Sequence, residues 1–223
     1  MTKPQQDPLR LVLRTILPIA LVTLAVLLAG IIALTKHGTT VERPGRAPGL
    51  NADALPTGLD RRPAPGFALT DATSGARVRL RELEGSPILV TFLYTHCPDV
   101  CILIGLQIRD ALKRLGDEAS EVTVAAVTVD PRGDTPENVG DWLRRHRLPP
   151  NFRYLIGTEK ELRPVWRDWF VLPQDQDRLN VSSHTASLWL IDRSGALRGK
   201  YSGSAPIDPD DLAADLRTLI DGG

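Results

Sequence analysis

"VTFLYTHCPDVCILIGLQI", residues 90–108, carries the only two cysteines of the 223-residue chain, Cys97 and Cys101. It begins inside "ILVTFLY" (88–94), a short and nearly continuous apolar run of the kind that forms a central strand buried on both faces. From Pro98 the apolar positions Val100, Ile104 and Ile108, with Leu103, Leu112 and Leu115, recur at helical spacing as far as Gly116. Both thiols therefore stand where a buried strand hands over to a helix.

The neighbouring segments extend that unit. "VTVAAVTVD" (122–130) is a second buried strand, and "TPENVGDWLRRH" (135–146) starts a helix with Thr135 as N-cap and Pro136 in the first position. A strand near "FRYLI", a helix over about 159–170, strand "SLWLID" (187–192), a turn at Ser194-Gly195, strand "LRGKYS" and a helix from about Asp208 complete the order. Upstream, "GFALTDATSGARVRL" (66–80) reads as a hairpin turning at Ser74-Gly75. The alternation predicts an α/β domain with a mixed sheet and a right-handed crossover between the first two buried strands. It places the cysteines at the carboxyl end of a central strand, where such sheets build their sites.

Four regions follow from composition. Residues 15–34, "TILPIALVTLAVLLAGIIAL", carry no charge, and about 20 helical residues span the ~30 Å of a bilayer core. That run exceeds the 7–15 apolar residues, roughly, of a cleaved signal, so residues 15–35 are expected to be an uncleaved transmembrane anchor, with 1–14 a short cytoplasmic segment. Lys3, Arg10 and Arg14 before it nearly balance Lys36, Arg43 and Arg46 after it. The large domain behind a single anchor favours an extracytoplasmic location, where a disulfide is permitted. Residues 36–65, with recurrent Pro and Gly, are expected to be a flexible linker, and 66–223 the folded domain. The 27 Lys and Arg balance 27 Asp and Glu and intersperse with them, which argues against a nucleic-acid surface.

Cys97 and Cys101 are separated by three residues. Positions four apart on a helix hold their Cβ atoms about 5–6 Å apart, whereas a disulfide needs roughly 3.5–4.5 Å. An ion between two sulfurs tolerates the wider gap. With Pro98 as the first helical residue, Cys97 becomes the N-cap and its sulfur can still swing toward Cys101, so a disulfide stays open. The helix terminus favours thiolate, and a lowered pKa is expected, with Asp99 competing for the same field. Of the four histidines, His37 lies in the linker and His146 at a helix C-terminus among arginines. His96 adjoins Cys97 and should point to the opposite face. His184 precedes a predicted core strand, as a polar loop residue or as a ligand. Asp130 and Asp134 read as strand-to-helix punctuation, or as support for the site. Trp166 and Trp169, at helical spacing, read as core.

From residue 66 onward the chain resembles the SCO (SenC) family of copper-binding assembly factors for cytochrome c oxidase. The resemblance rests on "VTFLYTHCPDVC", "VTVDPRGDTPENV" (127–139) and His184-Thr185-Ala186 followed by "LWLID". Ser183 stands where the family pattern has Asp, and Ile102 where it has Pro. The resemblance implies a thioredoxin-like fold and copper, as Cu(I) or Cu(II), bound by Cys97, Cys101 and His184. It implies the CuA centre of oxidase subunit II, or another copper protein, as the acceptor. Thiolate with imidazole suits copper, whereas structural zinc normally takes four protein ligands. A second class is a thiol–disulfide oxidoreductase reducing the acceptor cysteines, with Cys97 attacking, as the more exposed thiol, and Cys101 resolving. The stretch His184-Thr185-Ala186 lacks the proline that ordinary thioredoxin-like reductases place there. A peroxidase is disfavoured, since Thr95 precedes Cys97 by only two residues rather than three.

Overall fold

In the computed structural model, which describes residues 45–173, 187–202 and 206–222, the hairpin and the strand–helix alternation both form. Strands β1 (Ala68–Asp71) and β2 (Arg77–Arg79) pair antiparallel, with Gly75 supplying the positive φ of the turn at +71°. Then follow β3 (Ile88–Leu93), α1 (Val100–Leu115), β4 (Thr123–Thr128), α2 (Pro136–Arg145), β5 (Phe152–Ile156), α3 (Glu159–Asp168), β6 (Ser187–Ile191), β7 (Leu197–Ser202) and α4 (Pro209–Ile220). The seven strands form one mixed sheet in the order β2-β1-β5-β4-β3-β6-β7. β3 runs parallel to β4, and β4 to β5, while β6 lies antiparallel on the other side of β3. All six residues of β3 are buried, Thr91 included, as its nearly continuous apolar run requires.

The helices start where their caps dictate. The Thr135 hydroxyl accepts the Asn138 amide at 3.2 Å and Pro136 takes the first turn of α2. Thr158 and Glu161 form a reciprocal capping box on α3. α1 buries Cys101, Ile104, Ile108, Leu112 and Leu115 and packs against α4. Gly105 lets the Trp142 indole of α2 approach the α1 backbone, since a Cβ there would lie 2.9 Å from the ring. Trp166 and Trp169 are core, as expected. The Trp166 indole donates to the Thr128 carbonyl at 2.9 Å, and Trp169 lies between Phe92 and Trp189 at centroid distances of 5.9 and 5.7 Å.

The expectation of a flexible linker over 36–65 is corrected for residues 45–65. They form a strap along the outer edge of β7. Asp53 and Lys200 exchange backbone hydrogen bonds at 2.8 and 3.2 Å, and Arg61, Arg62 and Ala64 continue the pairing with Leu197 and Gly195. The strap covers an edge strand that would otherwise present unpaired backbone. Its tip packs inward: Ala47 and Ala52 are buried, and the buried carboxylate of Asp215 on α4 accepts the Asn51 and Ala52 amides at 2.6 and 2.8 Å. The Tyr201 hydroxyl donates to the same carboxylate at 2.7 Å. Hydrophobic periodicity misses such a segment because backbone pairing and the three buried side chains Ala47, Leu50 and Ala52 leave no period to read.

Among the described residues no helix is long and apolar enough to cross a membrane. The stretch read as an anchor, 15–35, lies outside them.

Candidate metal centre

β3 delivers the chain to the site. Val129 donates to the Leu93 carbonyl at 2.9 Å, holding the ends of β3 and β4 together, and the chain then turns, with Cys97 N–H on the Tyr94 carbonyl at 3.3 Å. The expectation that Pro98 opens the helix and Cys97 caps it is corrected. α1 begins at Val100 with Asp99 as N-cap, and the Asp99 side chain makes no capping bond. The sulfur of Cys97 does that work, accepting the Cys101 amide of the first turn at 3.4 Å. The sequence reading misplaced the start because Pro98 satisfies the first-turn rule equally well two residues earlier.

Both cysteines are thiols and both are buried, Cys97 4 % and Cys101 0 % exposed. Cys97 is the more exposed of the two, as expected, though both are buried. A hydrogen bond links the two side chains. It is the largest influence on Cys101, whose thiol is pushed up, with burial and the neighbouring Cys97 charge adding to it and a Tyr94 backbone contact opposing. For Cys101 the expected lowering does not occur: the field of the helix terminus is outweighed by the hydrogen bond to Cys97 and by lost solvation. Tyr94 is also buried. Its phenol is pushed up first by burial and then by the two sulfurs, and its side chain hydrogen-bonds Cys97.

The histidines divide as follows. His96 is exposed, with its Nδ1 3.2 Å from the Thr95 hydroxyl, so it turns away from the buried Cys97 as expected of a neighbour. His146 caps the end of α2 edge-on to Trp142 at 4.9 Å, and burial, then Arg145 and Arg109, lower its pKa. His37 and His184 lie outside the described residues. The strand that begins three residues after His184 is described: β6 is antiparallel to β3, and the carbonyl of Ser187, its first residue, accepts the Thr91 hydroxyl at 3.0 Å. The chain enters β6 from the cysteine end of the sheet. Among the described residues no cluster of three His, Cys, Asp or Glu side chains is placed to hold a metal.

Asp134 has a larger part than strand-to-helix punctuation. It is 2 % exposed and its two oxygens take four hydrogen bonds, from the Thr95 amide and hydroxyl, the Thr128 hydroxyl and the Tyr154 hydroxyl. Burial pushes its carboxyl up, against the pull of those four bonds. Asp130 accepts the Gly133 amide at 3.0 Å and shapes the turn that carries Asp134. The available signal was two acids in a turn directly after a buried strand; strand-end and helix-start rules explained them without a buried role.

A strand–helix junction with paired thiols on a mixed seven-stranded sheet can be compared with known proteins. The profile of the SCO1/SenC family matches residues 59–221. This chain belongs to that family. It is similar to the mitochondrial SCO1 homologue of Homo sapiens, 29 % identical over 136 residues, which is 58 % of this chain and 44 % of the human protein. It is also similar to the SCO1 homologue of Bacillus subtilis, 25 % identical over 65 % of this chain and 76 % of that one. The match thus spans less than half of the human relative. Among solved structures, Bradyrhizobium japonicum ScoI, determined with copper bound, is 30 % identical with a TM-score of 0.62, covering 71 % of this chain and 99 % of that one. Apo Sco1 of Thermus thermophilus is 29 % identical with a TM-score of 0.60, over 71 % and 92 %. The mixed sheet flanked by helices is the thioredoxin-like SCO fold.

Proposed function

We propose that this family member is a copper metallochaperone in which Cys97, Cys101 and His184 hold one copper ion. One observation carries the reading: the only two thiols of the chain meet in a buried, hydrogen-bonded pair at the carboxyl end of β3, on the side from which the chain enters β6. His184 stands three residues before β6. Two sulfurs with one imidazole make a soft-to-borderline donor set suited to copper. The copper-bound relative supports the same cargo. The acceptor in this reading is the CuA site of cytochrome c oxidase subunit II. Transfer proceeds by ligand exchange, the acceptor's thiolates replacing Cys97 and Cys101 one at a time. Residues 15–35 anchor the protein in the membrane, with the copper domain on the extracytoplasmic side.

The contact between the two thiols also supports a second reading, reduction of the acceptor's disulfide. The Cys97 thiolate attacks one acceptor sulfur and releases the other as thiolate. Cys101, deprotonated, then displaces the remaining acceptor sulfur, leaving Cys97–Cys101 oxidised and the acceptor reduced. This route needs no His184.

The test is an anaerobic Cu(I) titration, followed by a Cu(II) titration, of the full chain in detergent with the cysteines reduced. Wild type is compared with His184→Ala. One-to-one binding that collapses in the variant supports the three-ligand site. Affinity and copper absorption indifferent to His184 sink that site, and the Cys97–Cys101 reduction potential then tests thiol exchange.

A further inference from the structure

The buried carboxylate of Asp134 divides its hydrogen bonds between two parts of the protein. Its Oδ1 accepts the Thr95 amide at 2.8 Å and the Thr95 hydroxyl at 2.7 Å. Its Oδ2 accepts the Thr128 hydroxyl of β4 at 2.6 Å and the Tyr154 hydroxyl of β5 at 2.8 Å. One oxygen thus grips the loop two residues before Cys97, and the other is fixed to two neighbouring central strands.

The turn carrying Asp134 is itself held. Asp134 N–H donates to the Asp130 carbonyl at 2.9 Å, Asp130 N–H donates to the Thr128 hydroxyl at 3.0 Å, and Asn138 Nδ2 donates to the Gly133 carbonyl at 2.7 Å. The same turn meets the loop at a second point. A Cβ on Gly133 would lie 3.1 Å from His96 Nδ1, so the turn backbone passes close against the residue before Cys97. Thr95 is held by Asp134 and His96 adjoins the same turn, and Cys97 follows them through the turn that closes on the Tyr94 carbonyl. Cys101 lies in the first turn of α1, whose N-cap side chain makes no capping bond and whose Cys101 amide instead donates to the Cys97 sulfur at 3.4 Å. The spacing of the two sulfurs is therefore set by where the Thr95 turn sits relative to the start of α1.

We propose that Asp134 is a positioning residue for the cysteine pair: through Thr95 it sets the separation of Cys97 from Cys101. It thereby sets the ligand geometry offered to copper and the ease with which the pair closes to a disulfide. The copper half rests on the function proposed above; the disulfide half does not. Groups that orient metal ligands typically change metal affinity about 10–100-fold when removed. The grip depends on acceptors rather than charge. In Asp134→Asn the side-chain oxygen still takes Thr95, while the Thr128 and Tyr154 hydroxyls rotate to accept from the new amide.

The experiment compares Asp134→Ala, Asp134→Asn, Thr95→Val and Thr95→Ser in the full chain in detergent, each folded fraction being verified by circular dichroism. Two quantities are read: the equilibrium of the Cys97–Cys101 pair with glutathione buffers in the absence of copper, and the Cu(II)–thiolate absorption with copper affinity. In Asp134→Ala the glutathione equilibrium shifts by about tenfold, ~30 mV for a two-electron couple, and copper affinity falls by about tenfold or more. Thr95→Val shifts both in the same direction by less, and the Asn and Ser variants stay close to wild type. If Asp134→Ala does not fold, Thr95→Val decides. A Thr95→Val or Asp134→Ala protein with lowered stability but an unmoved glutathione equilibrium overturns the proposal. Because that equilibrium needs no copper, a chain that fails to bind copper still tests it.

Discussion

The amide of Cys101 donates to the sulfur of Cys97 at 3.4 Å, so the first thiol caps the helix that carries the second. Cys97 therefore has a structural duty apart from any ligand role. Cys97→Ser keeps an acceptor at the cap, and its stability should stay within about 1 kcal/mol of wild type. Cys97→Ala leaves a buried N–H unpaired and should cost about 1–2 kcal/mol. Both variants should lose the copper–thiolate absorption. Denaturant unfolding beside copper titration checks this, and equal stability of Ser and Ala variants would remove the capping duty.

Helix α1 admits a second test, in which two effects of opposite sign compete. Replacing an interior helical glycine by alanine gains about 1 kcal/mol of propensity. At Gly105 the new methyl would lie 2.9 Å from the Trp142 indole, which is 2 % exposed and enclosed by Phe152, Tyr154 and His146. Overpacking a ring that cannot withdraw costs about 1–3 kcal/mol. The clash should win, and Gly105→Ala should unfold at lower denaturant concentration. A stabilised variant would show that α2 shifts to make room.

Much of this architecture is legible in the sequence, for identifiable reasons. The nearly continuous apolar run of β3, the Thr-Pro start of α2 and the period of α1 are local signals that the tertiary structure reinforces. So is the placement of Cys97 and Cys101 at the strand's carboxyl end. What escaped reading is non-local. The four bonds of Asp134 join residues from 6 to 39 positions away, and the strap pairs with β7 through its backbone across more than 130 positions. Neither leaves a period or a composition bias. The direction of the Cys101 shift escaped for the same reason, because it depends on burial and on a neighbouring sulfur more than on the helix terminus.

Asp215 gives stability a defined pH dependence. Burial raises its carboxyl, while the Asn51 and Ala52 amides and the Tyr201 hydroxyl pull it down without cancelling the effect. A carboxyl whose folded value lies above its unfolded value, about 3.9, binds its proton more tightly when folded. Its contribution to stability is fully present below the unfolded value and is lost as pH rises through the folded one. Wild type should therefore gain stability relative to Asp215→Asn when unfolding is measured at about pH 4.5 rather than about pH 7.5. A difference independent of pH would mean that Asp215 titrates alike in both states.

The strap offers the final test, since its docking depends on the absence of a side chain at one position of β7. A Cβ on Gly199 would lie 3.0 Å from the Cβ of Ala52 and 3.2 Å from that of Ala47, both buried strap residues. Valine suits a strand by itself, so Gly199→Val should keep β7 paired with β6 while forcing the strap outward, at a cost of about 1–3 kcal/mol. Arg46 and Arg61 lie in the strap, and backbone pairing there restrains the chain from the extended fit a protease needs. Trypsin should cut the variant at these arginines well before the rest of the domain, and wild type much more slowly. The Cys97–Cys101 glutathione equilibrium should not move, because the strap lies along β7 and the cysteines follow β3, with β6 between the two strands. A variant that melts earlier yet shows no faster cleavage at these arginines would mean that β7 yields rather than the strap.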